Sequence, residues 1–201
     1  MIYFSSDHHF YHKNIIGFCK RPYDSVEEMN EALIENWNSV VNPTDEVIYL
    51  GDFSLAFRPI ETITPRLNGV KFLVPGNHDF CHSYHKRSRS AINQLKWISR
   101  YQDNGWTILP ECTHTIETDE IDSIKIRFSH LPYLGDIPTE FDKYQDFRPV
   151  KGELFEDILV CGHVHEKWQT KGNMINVGVD VWDYKPVPLN TILSLNVSKD
   201  S

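Results

Sequence analysis

The chain has 201 residues, 40% of them hydrophobic and 24% charged, with a formal net charge of −8. That length fits one domain over residues 1–201 with a core of its own, and the balance is that of an ordinary globular protein. The acidic charge excludes a protein that coats nucleic acid through broad electrostatics, and no stretch reaches the roughly 20 apolar residues of a membrane helix.

In chain order, Ile2-Tyr3-Phe4 reads as a strand that starts almost at once, without the basic and long apolar regions of a signal peptide. The clearest helix spans 25–40. Ser25 and Glu28 make a capping box there, and Val26, Met29, Leu33, Trp37 and Val40 recur at spacings of three and four. Asn42-Pro43 stops it, and 46–50 reads as a buried strand. A weaker helix lies within 59–67, disturbed by Pro65; Asn68-Gly69 turns the chain into a strand at 70–74. A second good helix covers 90–101 through Ile92, Leu95, Trp97 and Ile98. Strands then predominate, at 107–109, 114–117, 123–128, 158–161, 174–177 and 191–195. A loop rich in Pro, Asp and aromatics, with room for one short helix, fills 131–152. The expected fold class is α/β, a two-sheet sandwich flanked by helices. Cys19, Cys81, Cys112 and Cys161 form no CxxC pair, so reduced thiols and a cytoplasmic location are expected.

Five polar blocks each follow an apolar run: Asp7-His8-His9, Gly51-Asp52, Gly76-Asn77-His78-Asp79, His130, and Gly162-His163-Val164-His165. Ligand-type side chains set repeatedly past buried strands point to one site at a sheet's carboxyl edge. Asp7 and His9, two apart, face one side of an extended strand end and can hold one divalent cation. Asp52 offers a carboxylate able to bridge two cations, Asn77 an amide oxygen, and His130, His163 and His165 nitrogens. This oxygen and nitrogen set without thiolate suits two divalent ions, Mn first among Mn, Fe, Zn, Ni and Co. Two ions about 3.5–4 Å apart activate a bridging hydroxide for phosphoester hydrolysis. His78, whose side chain diverges from that of Asn77, is the candidate general acid, with Asp79 behind it to orient the ring.

Taken in order, D-x-H, G-D, G-N-H-D, a lone His and G-H-x-H resemble the calcineurin-like metallophosphoesterase family over residues 7–165. The resemblance implies a four-layer α/β/β/α sandwich with a dinuclear centre at the strand ends. It assigns Asp7, His9 and His165 to the first metal, Asn77, His130 and His163 to the second, and Asp52 to both. His78, backed by Asp79, falls on the family's acid. More narrowly, the stretches 6–16, Arg21-Pro22 and 176–182 resemble a compact prokaryotic and phage branch. His8 departs from that pattern, where a smaller or aliphatic residue is expected, and reads as an outward-facing neighbour of the site.

Around the site, Asn14 and Arg21 are the candidate substrate-binding residues, Arg21 as a bidentate phosphate grip; the bland alternative is a packing or surface Arg. The run from His82 to Arg89 can hold a second phosphate or a nucleotide, although a charge run is as a rule a solvated face. Trp168, Trp182 and Tyr184 can stack on a base or simply fill packing. The expected partner is a small phosphorylated, nucleotide-like substrate, with no membrane and no stable nucleic-acid complex. A nuclease acting on polymeric DNA or RNA is the rival within enzymology. A catalytically inactive interaction module of the same fold, like the retromer scaffold subunit, is the rival outside it.

Overall fold

Tyr3 and Phe4 are adjacent on the first strand and both buried, so that strand is covered on two faces in the computed structural model, which describes residues 1–110, 114–117, 124–136 and 144–197. Ile2–Ser5 (β1), Glu46–Tyr49 (β2), Val70–Leu73 (β3) and Trp106–Ile108 (β4) run parallel in one sheet. His114–Glu117 (β5), Lys125–Phe128 (β6), Ile158–Cys161 (β7), Thr170–Lys171 (β8) and Met174–Asn176 (β9) form the second sheet, in the order β5-β6-β7-β9-β8. Its three inner strands are parallel, and β5 and β8 are antiparallel edges. Val187–Pro188 (β10) closes the first sheet on β1, giving the order β10-β1-β2-β3-β4.

Alternation along the strands divides the core. Phe4, Ile48, Leu50 and Val74 meet Ile126, Phe128, Ile158, Val160 and Ile175 between the sheets. Tyr3, Val47, Tyr49 and Leu73 face the other way, onto Met29, Leu33 and Trp37 of helix Val26–Val40 and onto Tyr101 of helix Ala91–Asp103. The two sheets are therefore flanked by helices, as expected. In the order of the chain the helices are Lys13–Phe18 (α1), Val26–Val40 (α2), Arg58–Thr62 (α3), Ala91–Asp103 (α4) and Leu189–Val197 (α5). The capping box forms with a one-residue offset. Ser25 Oγ accepts the Glu28 N–H, and Glu28 Oε2 accepts the N–H of Asp24. No helix among the described residues is long and apolar enough to cross a membrane.

Two element readings need correction. The strand expected at 191–195 is helix α5: Leu189, Ile192 and Leu193 recur at helical spacing, and Ile192 is buried in the inter-sheet core. Its β-branched Thr191 and Ile192 bias the local reading toward strand, and packing overrides it. The helix expected at 59–67 breaks into α3 and a 3-10 turn at Thr64–Arg66, where Pro65 lacks the N–H that a continuous helix needs. Short helix α1 was not expected. Among the described residues of the long loop a 3-10 turn lies at Gln145–Phe147; Cys112 and residues 123 and 137–143 lie outside the described residues.

Register places the site. Ser5, Tyr49 and Leu73 lie abreast, as do Cys161 and Asn176 on the second sheet. All five polar blocks thus leave the carboxyl ends of parallel strands, at one edge of the sandwich.

Candidate metal centre

The turns that follow these strands are held in a conformation most residues avoid. Ten described non-glycine residues have positive φ, and five are expected ligands: Asp7 (59°), His9 (53°), Asp52 (58°), His163 (70°) and His165 (50°). Asp and His tolerate this region better than most, yet each costs on the order of 1–3 kcal/mol unless its surroundings enforce it. Loop-to-loop bonds do so here. Asp7 N–H donates to the Gly51 carbonyl at 3.1 Å, His9 N–H to that of Asp52 at 3.2 Å, and Gly162 N–H to that of His130 at 3.0 Å. A Cβ on Gly51 would lie 2.5 Å from Gly76 Cα, so the second and third blocks touch through bare backbone.

Ligand atoms of Asp7, His9 and His165 lie within 4.8 Å of one another, and so do those of Asp52, His130 and His163. Asp52 sits between the groups: its Oδ2 is 3.7 Å from His9 Nε2 and 3.4 Å from His130 Nε2. Its Oδ1 is occupied by the His78 N–H at 2.8 Å. Asn77 Oδ1 stands 3.1 Å from His130 Nε2 and so joins the second group. The outer atoms are tied back. His130 Nδ1 meets the Leu50 carbonyl at 2.6 Å and His165 Nδ1 meets Asp180 Oδ2 at 3.3 Å, which leaves Nε2 of each ring turned inward. Asp7 Oδ2 accepts from Ser6 Oγ at 2.7 Å and from His163 N–H at 2.8 Å. Its Oδ1 and both ring nitrogens of His9 are buried and lack any hydrogen-bond partner among the described residues. Orphans of this kind cost about 1–3 kcal/mol each. A divalent cation bound by these oxygen and nitrogen donors would satisfy them, so the residues fit a metal.

Charge is concentrated accordingly. Burial pushes the Asp7 carboxyl up. Burial also opposes ionisation of Asp52, but His130, His78 and His9 hold it well below the usual carboxylate range. Burial drives His9 and His163 well below an ordinary imidazole. Against its burial, Asp180 and Asp7 raise His165 to about 11.

No protein-family model matches the chain. It is 32% identical over 201 residues to the uncharacterized protein MJ1445 of Methanocaldococcus jannaschii, covering 96% of this chain and 90% of that one. The chain belongs to the MJ1445 family. Gene 66 protein of Mycobacterium phage L5 is 28% identical over 191 residues, or 90% of this chain and 86% of the phage protein. The solved structure of the protein of unknown function AQ665 from Aquifex aeolicus matches at a TM-score of 0.69 and 28% identity, over 97% of this chain and 98% of that one.

In this member of the MJ1445 family, four expected roles change. Asp79 does not orient His78: it is fully buried, and its oxygens accept the N–H groups of Gly76, Asp52 and Phe53. It pins two blocks together. His8 does not face outward; it is 0% exposed, stacked on Phe10, and bonded to Tyr49 Oη. Burial lowers it to about 3, so it is a neutral core residue. Arg21 is no phosphate grip. It is 3% exposed, its Nε and Nη2 grip Asp180 at 2.7 and 3.0 Å, and its Nη1 and Nη2 donate to the carbonyls of His8 and Asp7. Asn14 is exposed on α1, in a surface groove beside Phe18 and Asp24 rather than among the ligands. His78 has a side chain 45% exposed and an Nε2 3.9 Å from Asp52 Oδ2. The residue the sequence reading passed over is Asp180. It lies just past the end of β9, within the stretch 176–182 that carries the resemblance, and that placement is its signal.

Proposed function

We propose that this chain is a metal-dependent phosphoester hydrolase of the calcineurin-like metallophosphoesterase family, acting on a small phosphomonoester or phosphodiester. The observation that carries the reading is Asp52, one buried carboxylate oxygen facing His9 on one side and His130 on the other. Two divalent cations would be held by Asp7, His9 and His165 and by Asn77, His130 and His163, with Asp52 reaching both. When bound they supply an activated water and polarise the phosphoryl oxygens for in-line displacement.

The remaining work belongs to the chain. His78 stands half-exposed beside Asp52, its Nε2 3.9 Å from Asp52 Oδ2, in position to pass a proton to the leaving oxygen. Asp79 fixes the loop that carries His78 by gripping backbone on either side of Asp52 and at Gly76. Arg21 and Asp180 lock the first and last blocks against each other, so the ligands need not reorganise as the substrate reacts. The test is elemental analysis of the purified chain together with a panel of aryl mono- and diesters, nucleoside monophosphates and cyclic nucleotides, assayed with and without Mn²⁺. Bound transition metal and Mn²⁺-stimulated cleavage are expected. A chain that binds no such ion and hydrolyses none of the panel would sink the proposal.

A further inference from the structure

Directly after the Gly76-Asn77-His78-Asp79 block, residues 80–89 carry three of the chain's twenty Lys and Arg against a net charge of −8: Lys86, Arg87 and Arg89, with His82 and His85 among them. The segment is built, not loose. Successive turns close from His82 N–H to the Asp79 carbonyl, from His85 N–H to that of His82, and from Ser88 N–H to that of His85. Phe80 anchors it from the core: His85 stacks on that ring at 4.7 Å, Arg87 lies over it at 4.7 Å, and Ser88 Oγ donates to its carbonyl.

Once Arg87 is spent on the Phe80 and Trp97 rings, Lys86 and Arg89 are left exposed, with no acidic partner among the described residues. They line a cleft of about 360 Å³ together with Tyr84, His85 and Asn77. Asn77 is also a wall of the second ligand group. A chain of ring contacts, Tyr84 to Tyr144 at 5.0 Å and Tyr144 to His163 at 5.7 Å, runs from the same cleft to that group. A basic cleft sharing a wall with a phosphoester site differs from a solvated face by that continuity.

We propose that this cleft binds a second phosphate of the substrate, so that the substrate is a small bisphosphorylated ester of nucleotide size. The proposal rests on the phosphoesterase reading for the first phosphate only. Lys86 and Arg89 supply two cations for one dianion, and the volume falls in the range of small-ligand sites. His85 contributes a neutral donor. Burial and the charges of Arg87 and Lys86 lower it to about 4, and its Nδ1 accepts the Arg87 N–H, which leaves the proton on Nε2. The exposed Tyr84 ring offers a face for a base.

The experiment is calorimetric titration of the full chain in Mn²⁺ with adenosine 5′-monophosphate and adenosine 3′,5′-bisphosphate, for wild type and for Lys86→Ala/Arg89→Ala. Bis(p-nitrophenyl) phosphate, which has one phosphate, is assayed in parallel. The wild type should bind the bisphosphate about tenfold more tightly or better, and the double variant should lose that preference while its bis(p-nitrophenyl) phosphate turnover stays within about twofold. Equal affinities in the wild type, or a preference that survives the substitutions, overturns the subsite. Tighter binding of a twelve-nucleotide oligonucleotide than of the bisphosphate overturns the small-substrate class in favour of a polymer. Absent hydrolysis with the bisphosphate preference intact overturns the esterase reading and leaves the anion site standing.

Discussion

Asp79 holds Asp52 by its backbone: the Asp79 Oδ2 accepts the Asp52 N–H at 2.8 Å, and the same oxygen accepts the Gly76 N–H at 2.8 Å. One side chain thereby sets the distance between the second and third ligand blocks. Asp79→Ala leaves three buried N–H groups without an acceptor, each worth roughly 1–3 kcal/mol. The expected result is a lower melting temperature together with loss of bound metal, read by calorimetry and elemental analysis on the same sample. Normal metal content in a destabilised variant would show that Asp79 serves the fold and not the site.

His78 predicts the opposite split. Its side chain holds no position in the ligand groups and is half-exposed, so His78→Ala should leave fold and metal content unchanged. Turnover should fall by about 10²–10⁴-fold if the ring serves as general acid. The loss should shrink on esters whose leaving group needs no proton, such as p-nitrophenolate. A uniform loss across leaving groups excludes the acid role.

Asp180 reaches His165 on one side and Arg21 on the other. Such a carboxylate fixes the ring orientation and typically changes metal affinity by about 10–100-fold when removed. Asp180→Ala should therefore weaken metal retention by that factor in a chelator competition. Arg21→Ala should cost about 3–5 kcal/mol of stability, because it removes the guanidinium from the buried Asp180 and the donor from the His8 and Asp7 carbonyls. Equal metal retention in wild type and Asp180→Ala would reduce Asp180 to a packing residue.

Away from the site, Glu156 ties the long loop to the second sheet. Its Oε1 accepts Tyr133 Oη at 2.8 Å and the Gly152 N–H at 3.1 Å, and its Oε2 accepts the Leu154 N–H at 3.1 Å. Burial works to raise its carboxyl, but these bonds hold it below the ordinary range. A depressed carboxyl stabilises above its unfolded-state pKa and gives that stability up as pH falls through the folded value. Glu156→Gln should thus narrow the difference between urea midpoints at pH 7 and at pH 4. An unchanged difference would assign the acid sensitivity elsewhere.

What could be read from the sequence followed period and placement. The apolar runs before the blocks that follow β1, β2, β3 and β7 marked parallel strands, because a strand buried on both faces is nearly continuous in apolar residues, whereas β6 alternates Lys125 and Arg127 with Ile126 and Phe128. The end of β7 at Cys161 placed His163 and His165 just past it in the same way. Roles that depend on direction could not be read. His8 and His9 are neighbours, and only the left-handed backbone at Asp7 and His9 decides that one ring enters the core and the other the site. Arg21 and Asp180 are far apart in sequence and meet only after both sheets have packed. Asp79 has the same composition as a catalytic partner and the geometry of a backbone clamp.

The tightest point of the site has no side chain at all. A Cβ on Gly162 would lie 2.6 Å from Asp7 Oδ2 and would drive into Ser6 Oγ. Neither atom can yield easily, because Ser6 Oγ already donates to Asp7 at 2.7 Å and touches the Leu50 carbonyl at 2.9 Å. Gly162→Ala must therefore push the last block away from the first, separating His163 and His165 from Asp7. It should cost on the order of 1–3 kcal/mol as an overpacked site and more in metal binding than in stability. Gly17 on α1 is the matched control: a Cβ there meets nothing within 4 Å, and its φ is ordinary. Gly17→Ala should stabilise by about 0.4–1 kcal/mol through the unfolded chain and leave metal content alone. Measured side by side by urea unfolding and metal analysis, the pair separates close approach at the site from glycine replacement in general. Two alanines that behave alike would remove the steric argument for the Gly162 position.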